Sequence, residues 1–400
     1  MADSLERFRD RFPILSRTTY LVSHSLGAMP VTVRQRMMEY ATTWETKGVT
    51  AWADEWWDLP MRAAEGISRL INAPEGTVAM HSNITTMESA VLSCFDDGEL
   101  RRGRNVIVSE ERNFPSVLYL LRAWTRSHGA ELRLVPSDDN ITVDTQRMVD
   151  AIDEDTFLVP MSHVLFRSAY VQDAKAIIEK AHAVGALVVL DAYQSVGILP
   201  VDVRNLEVDI LLGGVLKWLC GGPGGAFMYV RRDLLQRLTP GFTGWVAHKR
   251  PFAFDPGEIE LREDAFRMMN GTPSIPALYA ATEGPNIILE AGVGNIRAKS
   301  LRQTALLIEA ANREGWNVHS PVRDADRGGT VTIDPPHAYE VSRAMIAQGI
   351  LVDYREGAGI RIAPHFYNTD MEVRAAADAV RTILETRTWE KFQGERGFVT

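Results

Sequence analysis

The stretch Gln172–Leu190 limits the possible fold more than any other part of the chain. Gln172 to Val184 places Ala174, Ile177, Ile178 and Ala181 at helical spacing and stops at Gly185; Ala186 to Leu190 is an unbroken apolar run. A strand without polar alternation must be covered on both faces, as parallel sheets flanked by helices are. Earlier segments repeat the theme. Thr77–Met80, Val106–Val108, Leu132–Val135 and Phe157–Met161 read as strands. Between them, Ser82-Asn83 opens a helix through Leu92, and Phe114–Trp124 reads as a helix ending near Gly129. Ile210–Leu212 and Ala226–Val230 add two strands, the second suited to an antiparallel course because it follows a short GGPGG turn. The pattern predicts an α/β architecture: a large, doubly wound, mostly parallel sheet.

After Gly284-Pro285 the texture changes. One long amphipathic helix is expected from Ile287 to Arg313. A smaller αβ set follows: Thr330–Ile333, a helix near Tyr339–Gln348, Val352–Tyr354, Ile360–Ile362, and a terminal helix from Met371. We expect a large domain over 41–285, a smaller αβ domain over 286–400, and a segment 1–40 that packs with the smaller domain, since chain ends often meet. The length of 400 residues suits that division.

Charge and cysteine usage narrow the function classes. Lysine and arginine number 43 against 52 acids, a net charge of −9, which speaks against general nucleic-acid binding but leaves room for a local cationic pocket. Cys94 and Cys220 have no CxxC partner, so no disulfide scaffold or cysteine-built zinc site is expected; both read as small buried hydrophobes. The nine histidines show no paired metal spacing, and no metal is expected. No uninterrupted apolar run reaches the roughly 18 residues of a membrane span. The start, MADSLERFRDRFPILSR, is charged throughout and lacks an apolar signal core, which predicts a cytoplasmic protein.

Three residues carry the chemistry. Asp191 sits just past the apolar strand, where open parallel sheets bind ligands. Lys217 is a single amine in the apolar run Leu211–Leu219; burial would lower its pKa and make it a nucleophile. Arg361 lies in a short strand before Pro364 and could grip a carboxylate bidentately. Taken singly, each has an ordinary use: a turn or cap aspartate, a lysine whose stem packs, an exposed strand arginine. Together they match one chemistry: a lysine for a Schiff base, an aspartate for a pyridine nitrogen, and an arginine for a substrate carboxylate. That is the equipment for pyridoxal phosphate acting on an amino acid.

The sequence resembles the fold-type I, class V aminotransferase superfamily, and within it the kynureninase-like branch. The likeness runs through LDAYQSVGILPVDV and LKWLCGGPGG around Asp191 and Lys217. It includes Ser25-Leu26-Gly27 with Met29-Pro30, Asn113-Phe114-Pro115-Ser116, Ser162-His163-Val164 with Arg167-Ser168, and Gly244-Trp245 with His248 and Pro251-Phe252. Asn270-Gly271-Thr272-Pro273 and Arg361–Pro364 with Tyr367-Asn368 complete the series in family order.

The resemblance implies the PLP-dependent transferase fold, pyridoxal 5′-phosphate as cofactor and an α-amino acid as substrate. Lys217 would form the Schiff base and later move the α-proton. Asp191 would pair with the pyridinium, Gln194 would hydrogen-bond the ring hydroxyl or the lysine, and Phe114 would stack on the ring. Thr85 or Thr86 would bind phosphate through backbone N–H groups. Trp245 and Asn270 would reach the phosphate across a subunit interface, implying a homodimer. Arg361 would hold the substrate carboxylate, with Ser25 and His24 beside it. Hydrolytic Cβ–Cγ cleavage is the first expectation; transamination or β-elimination of a C–S bond is the alternative. This chain departs from the branch at several points. Val215 and Leu216 replace a Ser-Tyr pair, Val117 an aspartate, Gln194 a histidine, and His24 an asparagine.

Overall fold

The computed structural model describes residues 3–96 and 98–394. The outermost parts of the two predicted end segments, residues 1–2 and 395–400, lie outside them. In chain order the strands are β1 (Thr19–Tyr20), β2 (Val78–His81), β3 (Val106–Glu110), β4 (Glu131–Val135), β5 (Thr156–Ser162), β6 (Leu187–Asp191) and β7 (Ile210–Gly214). They continue as β8 (Ala226–Val230), β9 (Asn317–Val318), β10 (Val331–Asp334), β11 (Ile350–Leu351), β12 (Asp353–Arg355) and β13 (Gly359–Ile362). Seven form the main sheet in the order β2–β8–β7–β6–β5–β3–β4. All pairings among β3 to β7 are parallel, while β8 runs antiparallel to both β7 and β2, as its short glycine turn requires.

The continuous apolar character of the central strands has the expected cause. Val188 and Leu190 of β6 face one apolar layer and Val189 faces the other, so helices cover both sides. Local signals set the helix ends. Asn83 caps the helix Ile84–Ser93 by accepting the Thr86 N–H at 2.9 Å. Pro115 opens the next helix at its first position, and Gly129, left-handed at φ 62, ends it after His128.

The smaller sheet, β12–β13–β10–β9, has its own apolar core, built around Val331, Ile333, Ile360 and Ile362. One expectation is corrected here. The helix foreseen over Ile287–Arg313 is two helices, Glu283–Ala291 and Val293–Glu314, separated by Gly292 at φ 80. The apolar periodicity runs across the break, but the left-handed glycine turns the chain.

The N-terminal segment lies along this smaller unit. β1 pairs in parallel with β11, and the Ala363 N–H donates to the Leu21 carbonyl. Arg9 donates to Glu372 at 2.7 Å and to the Tyr367 carbonyl at 2.6 Å, while Lys299 pairs with Asp3 at 2.9 Å. The segment therefore straps residues 3–30 to the last hundred residues. A 17-residue helix, Val31–Lys47, follows; only Val33 on it is buried.

Candidate active site

Asp191 closes β6, and Lys217 follows the end of β7 by three residues, so neighbouring strand ends bring both to the carboxyl edge of the sheet. There they line one cavity of about 240 Å³ with Asn83, Thr85, Phe114 and Gln194. The Lys217 amine stands 4.5 Å from the centre of the Tyr193 ring and 5.8 Å from that of Phe114. Loss of hydration lowers its pKa to about 8; the Asp191 charge opposes that drop and the Arg361 charge adds to it. Asp191 accepts the Tyr193 N–H at 2.8 Å. Burial leaves its carboxyl pKa raised, although this hydrogen bond and the charge of Lys217 oppose the rise.

The opposite wall is a helix N-terminus. The Asn83 side chain takes both the N–H and the hydroxyl of Thr86 at 2.9 Å. In the first turn, the N–H groups of Ile84 and Thr85 are left without intrahelical acceptors, and Thr85 is exposed. Thr86 gives its N–H and hydroxyl to the cap and lines a neighbouring cavity rather than the one holding Lys217. Thr85 remains at the site. Phe114, 43% exposed, presents its ring and meets Phe166 edge-on at 5.2 Å.

Gln194 is more committed than its sequence role suggested. Its amide oxygen accepts the Trp218 indole N–H at 3.0 Å, and its NH₂ donates to the His24 carbonyl at 3.1 Å. One amide hydrogen is left for a ligand. Val117 and Leu216 line the cavity and give it apolar walls.

Arg361 is 2% exposed and already engaged. Asp353 stands opposite it on antiparallel β12 and β13 and accepts from it at 2.6 Å; the Phe166 carbonyl accepts at 2.6 Å as well. Its Nε has no partner, and burial lowers its pKa to about 10. His24, also buried, reaches the same Asp353 carboxylate at 3.6 Å, and burial pushes its pKa down to about 3, so its imidazole is neutral. Neither His24 ring nitrogen has a hydrogen-bond partner. Ser25 is half-buried next to it. Trp245 and Asn270 do not line the Lys217 cavity of their own chain. Trp245 packs with Trp57, Phe252 and Phe254, and Asn270 faces the neighbouring cavity with His81 and Thr86.

The cavity offers an amine, a carboxylate, a ring face and open helix N–H groups. The group that fits them carries an aldehyde, a basic ring nitrogen, a flat π system and a phosphate. Pyridoxal 5′-phosphate has all four. Sequence reasoning missed Tyr193, Asp353 and the buried acids Glu88 and Glu110. Tyr193 could have been noticed inside LDAYQ, and Glu88 as the one acid in the apolar run Met87–Leu92. Among the described residues no group of three His, Cys, Asp or Glu could hold a metal, and no helix is long and apolar enough to cross a membrane.

Comparison with known proteins gives a consistent result. The family model Aminotransferase class-V matches residues 19–380. A kynureninase from Pseudomonas fluorescens is 32% identical over 98% of this chain and 95% of its own length. A kynureninase from Bacillus anthracis is 27% identical over 99% and 95%. Among solved structures, an apo cysteine desulfurase from Thermococcus onnurineus NA1 superposes with a TM-score of 0.84 at 20% identity, covering 96% of this chain and 99% of that one. A C-DES variant with glycine covalently linked to the PLP cofactor gives 0.83 at 19% identity, covering 93% and 98%.

Proposed function

The chain belongs to the aminotransferase class-V family, and from that premise we propose that it is a kynureninase-like hydrolase acting on an α-amino acid. It is a pyridoxal-phosphate-dependent enzyme of fold type I. The observation that carries the finer reading is near-full-length similarity to kynureninases together with Lys217 and Asp191 on one cavity.

When bound, the cofactor supplies an electron sink for bonds broken at the substrate's Cα. Lys217 would hold the cofactor covalently, and its amine, with a pKa lowered to about 8, would serve as the base for the α-proton. Asp191, fixed by the Tyr193 N–H, would face the ring nitrogen and favour its protonated form. Ile84 and Thr85 would hold phosphate oxygens with their N–H groups, Phe114 would cover one ring face, and Gln194 would give its remaining amide hydrogen. Arg361 turns its uncommitted N–H groups to the substrate carboxylate, held in place by Asp353, with His24 and Ser25 alongside. Trp245 and Asn270 act on the site of a second copy. The exposed apolar side chains Met38, Trp44 and Val49 on and after one helix, with Phe242, Phe252 and Phe254, support such a homodimer. In this reading 41–285 is the large cofactor-binding domain, 286–400 the smaller αβ domain, 1–40 packs with the smaller one, and the enzyme works in the cytoplasm.

A second reading, transamination or β-elimination of a C–S bond, is favoured by Val117 and Leu216 in the cavity wall. A persulfide-forming role is disfavoured: Cys94 and Cys220 are both buried, and burial pushes the Cys220 thiol up to about 12. The test is incubation of PLP-loaded protein with L-kynurenine, with and without a keto-acid acceptor. Equal amounts of anthranilate and alanine without acceptor are expected. Turnover only with acceptor, or none beside an intact Schiff-base band, rejects the hydrolase.

A further inference from the structure

Trp218 follows Lys217 in the chain and is buried. Its place is set from outside the main sheet. The His365 Nε2–H donates to the Trp218 carbonyl at 2.8 Å, and the two rings meet edge-on at 5.3 Å. Gly329, two residues before β10, leaves a notch for the indole: a methyl group there would lie 2.7 Å from the tip of the ring. So held, the indole N–H donates at 3.0 Å to the amide oxygen of Gln194, which lines the Lys217 cavity. The other end of that amide is also engaged. Its NH₂ donates to the His24 carbonyl at 3.1 Å.

Both partners are one-sided. An indole N–H can only donate and a main-chain carbonyl can only accept, whereas a free amide can turn either end toward a cavity. A half-turn of the Gln194 amide would set N–H against N–H at Trp218 and oxygen against oxygen at His24. Trp218, His24 and Gln194 are all buried, so water does not make good the two lost hydrogen bonds. One orientation is therefore left. In it the amide oxygen faces the indole, one amide hydrogen faces His24, and the second hydrogen is free for the cavity.

We infer that Trp218 is a positioning residue that fixes Gln194 as a donor toward the cavity, so that the site takes the ring oxygen of the bound cofactor in its ionised form. The inference rests on the reading that this cavity holds pyridoxal phosphate through Lys217. It adds which end of Gln194 meets the ring and which side chain decides it. A donor on the ionised oxygen draws charge from it. That oxygen shares the proton of the neighbouring Lys217 imine. With the donor in place the imine releases its proton more readily; without it the proton is kept to higher pH.

The first test needs no cofactor. In apo-protein carrying isotope-labelled tryptophan, the indole N–H resonance that W218F removes belongs to Trp218. Q194L should move that resonance upfield, the sense of a lost hydrogen bond; a resonance unmoved by Q194L overturns the proposal. The second test titrates the absorption of the loaded protein. W218F keeps an aromatic ring without the donor, and Q194L lacks the amide. Each should raise the imine midpoint by about half to one pH unit. Because Trp218 acts through Gln194, the double variant W218F/Q194L should shift no further than Q194L alone. A loaded, cooperatively unfolding W218F with the wild-type midpoint overturns the proposal, as do additive shifts in the double variant. Wild-type protein that forms no imine band overturns the cofactor reading and the proposal with it; the response of the indole resonance to Q194L, read in apo-protein, tells that failure from a missing Trp218–Gln194 contact.

Discussion

The amine of Lys217 is the group whose behaviour is most open to measurement. Its pKa is lowered from an ordinary 10.5 to about 8, first by loss of hydration and then by the nearby Arg361 charge, against the pull of Asp191. A drop of that size leaves about 300-fold more neutral amine at any pH well below 8 than a solvated lysine would have. Only the neutral amine attacks an aldehyde. The rate of imine formation between apo-protein and pyridoxal phosphate, followed by absorption with K217A as the blank, should therefore rise tenfold per pH unit and level off near pH 8. The substitutions separate the causes. D191N removes the charge that favours the ammonium, so the plateau should begin at lower pH even though the cofactor is held less tightly. R361M removes a repelling cation and should move the plateau to higher pH. A rate that still climbs at about pH 10 in the wild type would mean a hydrated amine and would refute the electrostatic account of this cavity.

Other perturbations follow from the same geometry. D353N leaves the buried Arg361 guanidinium without its counter-charge and should destabilise the protein by about 3–5 kcal/mol, read by chemical unfolding; a change below about 1 kcal/mol would show that Arg361 is hydrated. N83A removes the helix cap at a cost of about 1 kcal/mol and should weaken cofactor affinity as well, whereas loss of stability with unchanged affinity would place the phosphate elsewhere. A methyl group at Gly214 would lie 2.4 Å from the Tyr193 ring, so G214A should displace that ring and the N–H that steadies Asp191, lowering the imine absorbance; a wild-type spectrum contradicts this. Mixing inactive K217A with inactive N270A should restore part of the activity through mixed dimers, and no recovery would confine Asn270 to its own chain.

Much of the fold can be read from the sequence because the central strands are apolar on both faces. That is why Ala186–Leu190 and Phe157–Met161 are recognisable without any partner. Lys217 stands out for the same reason, as a charge in an apolar run. The helix Val31–Lys47 escaped notice because only Val33 on it is buried, which leaves no stripe to detect. Gly292 broke a helix whose apolar pattern continues on both sides. Asp353 could not be tied to Arg361 from sequence, since only the antiparallel register of β12 and β13 sets them face to face. The commitments of Gln194 and Thr86 to Trp218, His24 and Asn83 were equally hidden, because short-range motifs do not reveal which hydrogen bonds tertiary packing has already taken.

The strap formed by β1 and its neighbours has a consequence for how the protein is made. A ribosome releases residues 19–24 early, yet their partners at 350–363 emerge some 330 residues later. Throughout that interval the segment bearing His24 lacks its partners at 350–363. Asp191 and Lys217 leave the ribosome well before those partners do. The cofactor end of the site can therefore assemble on the nascent chain while the substrate end waits for the final strands. A chain truncated before residue 350 would keep its lysine and aspartate yet lack both Arg361 and an anchored His24. The order of synthesis makes the ability to grip an amino acid one of the last properties the chain acquires.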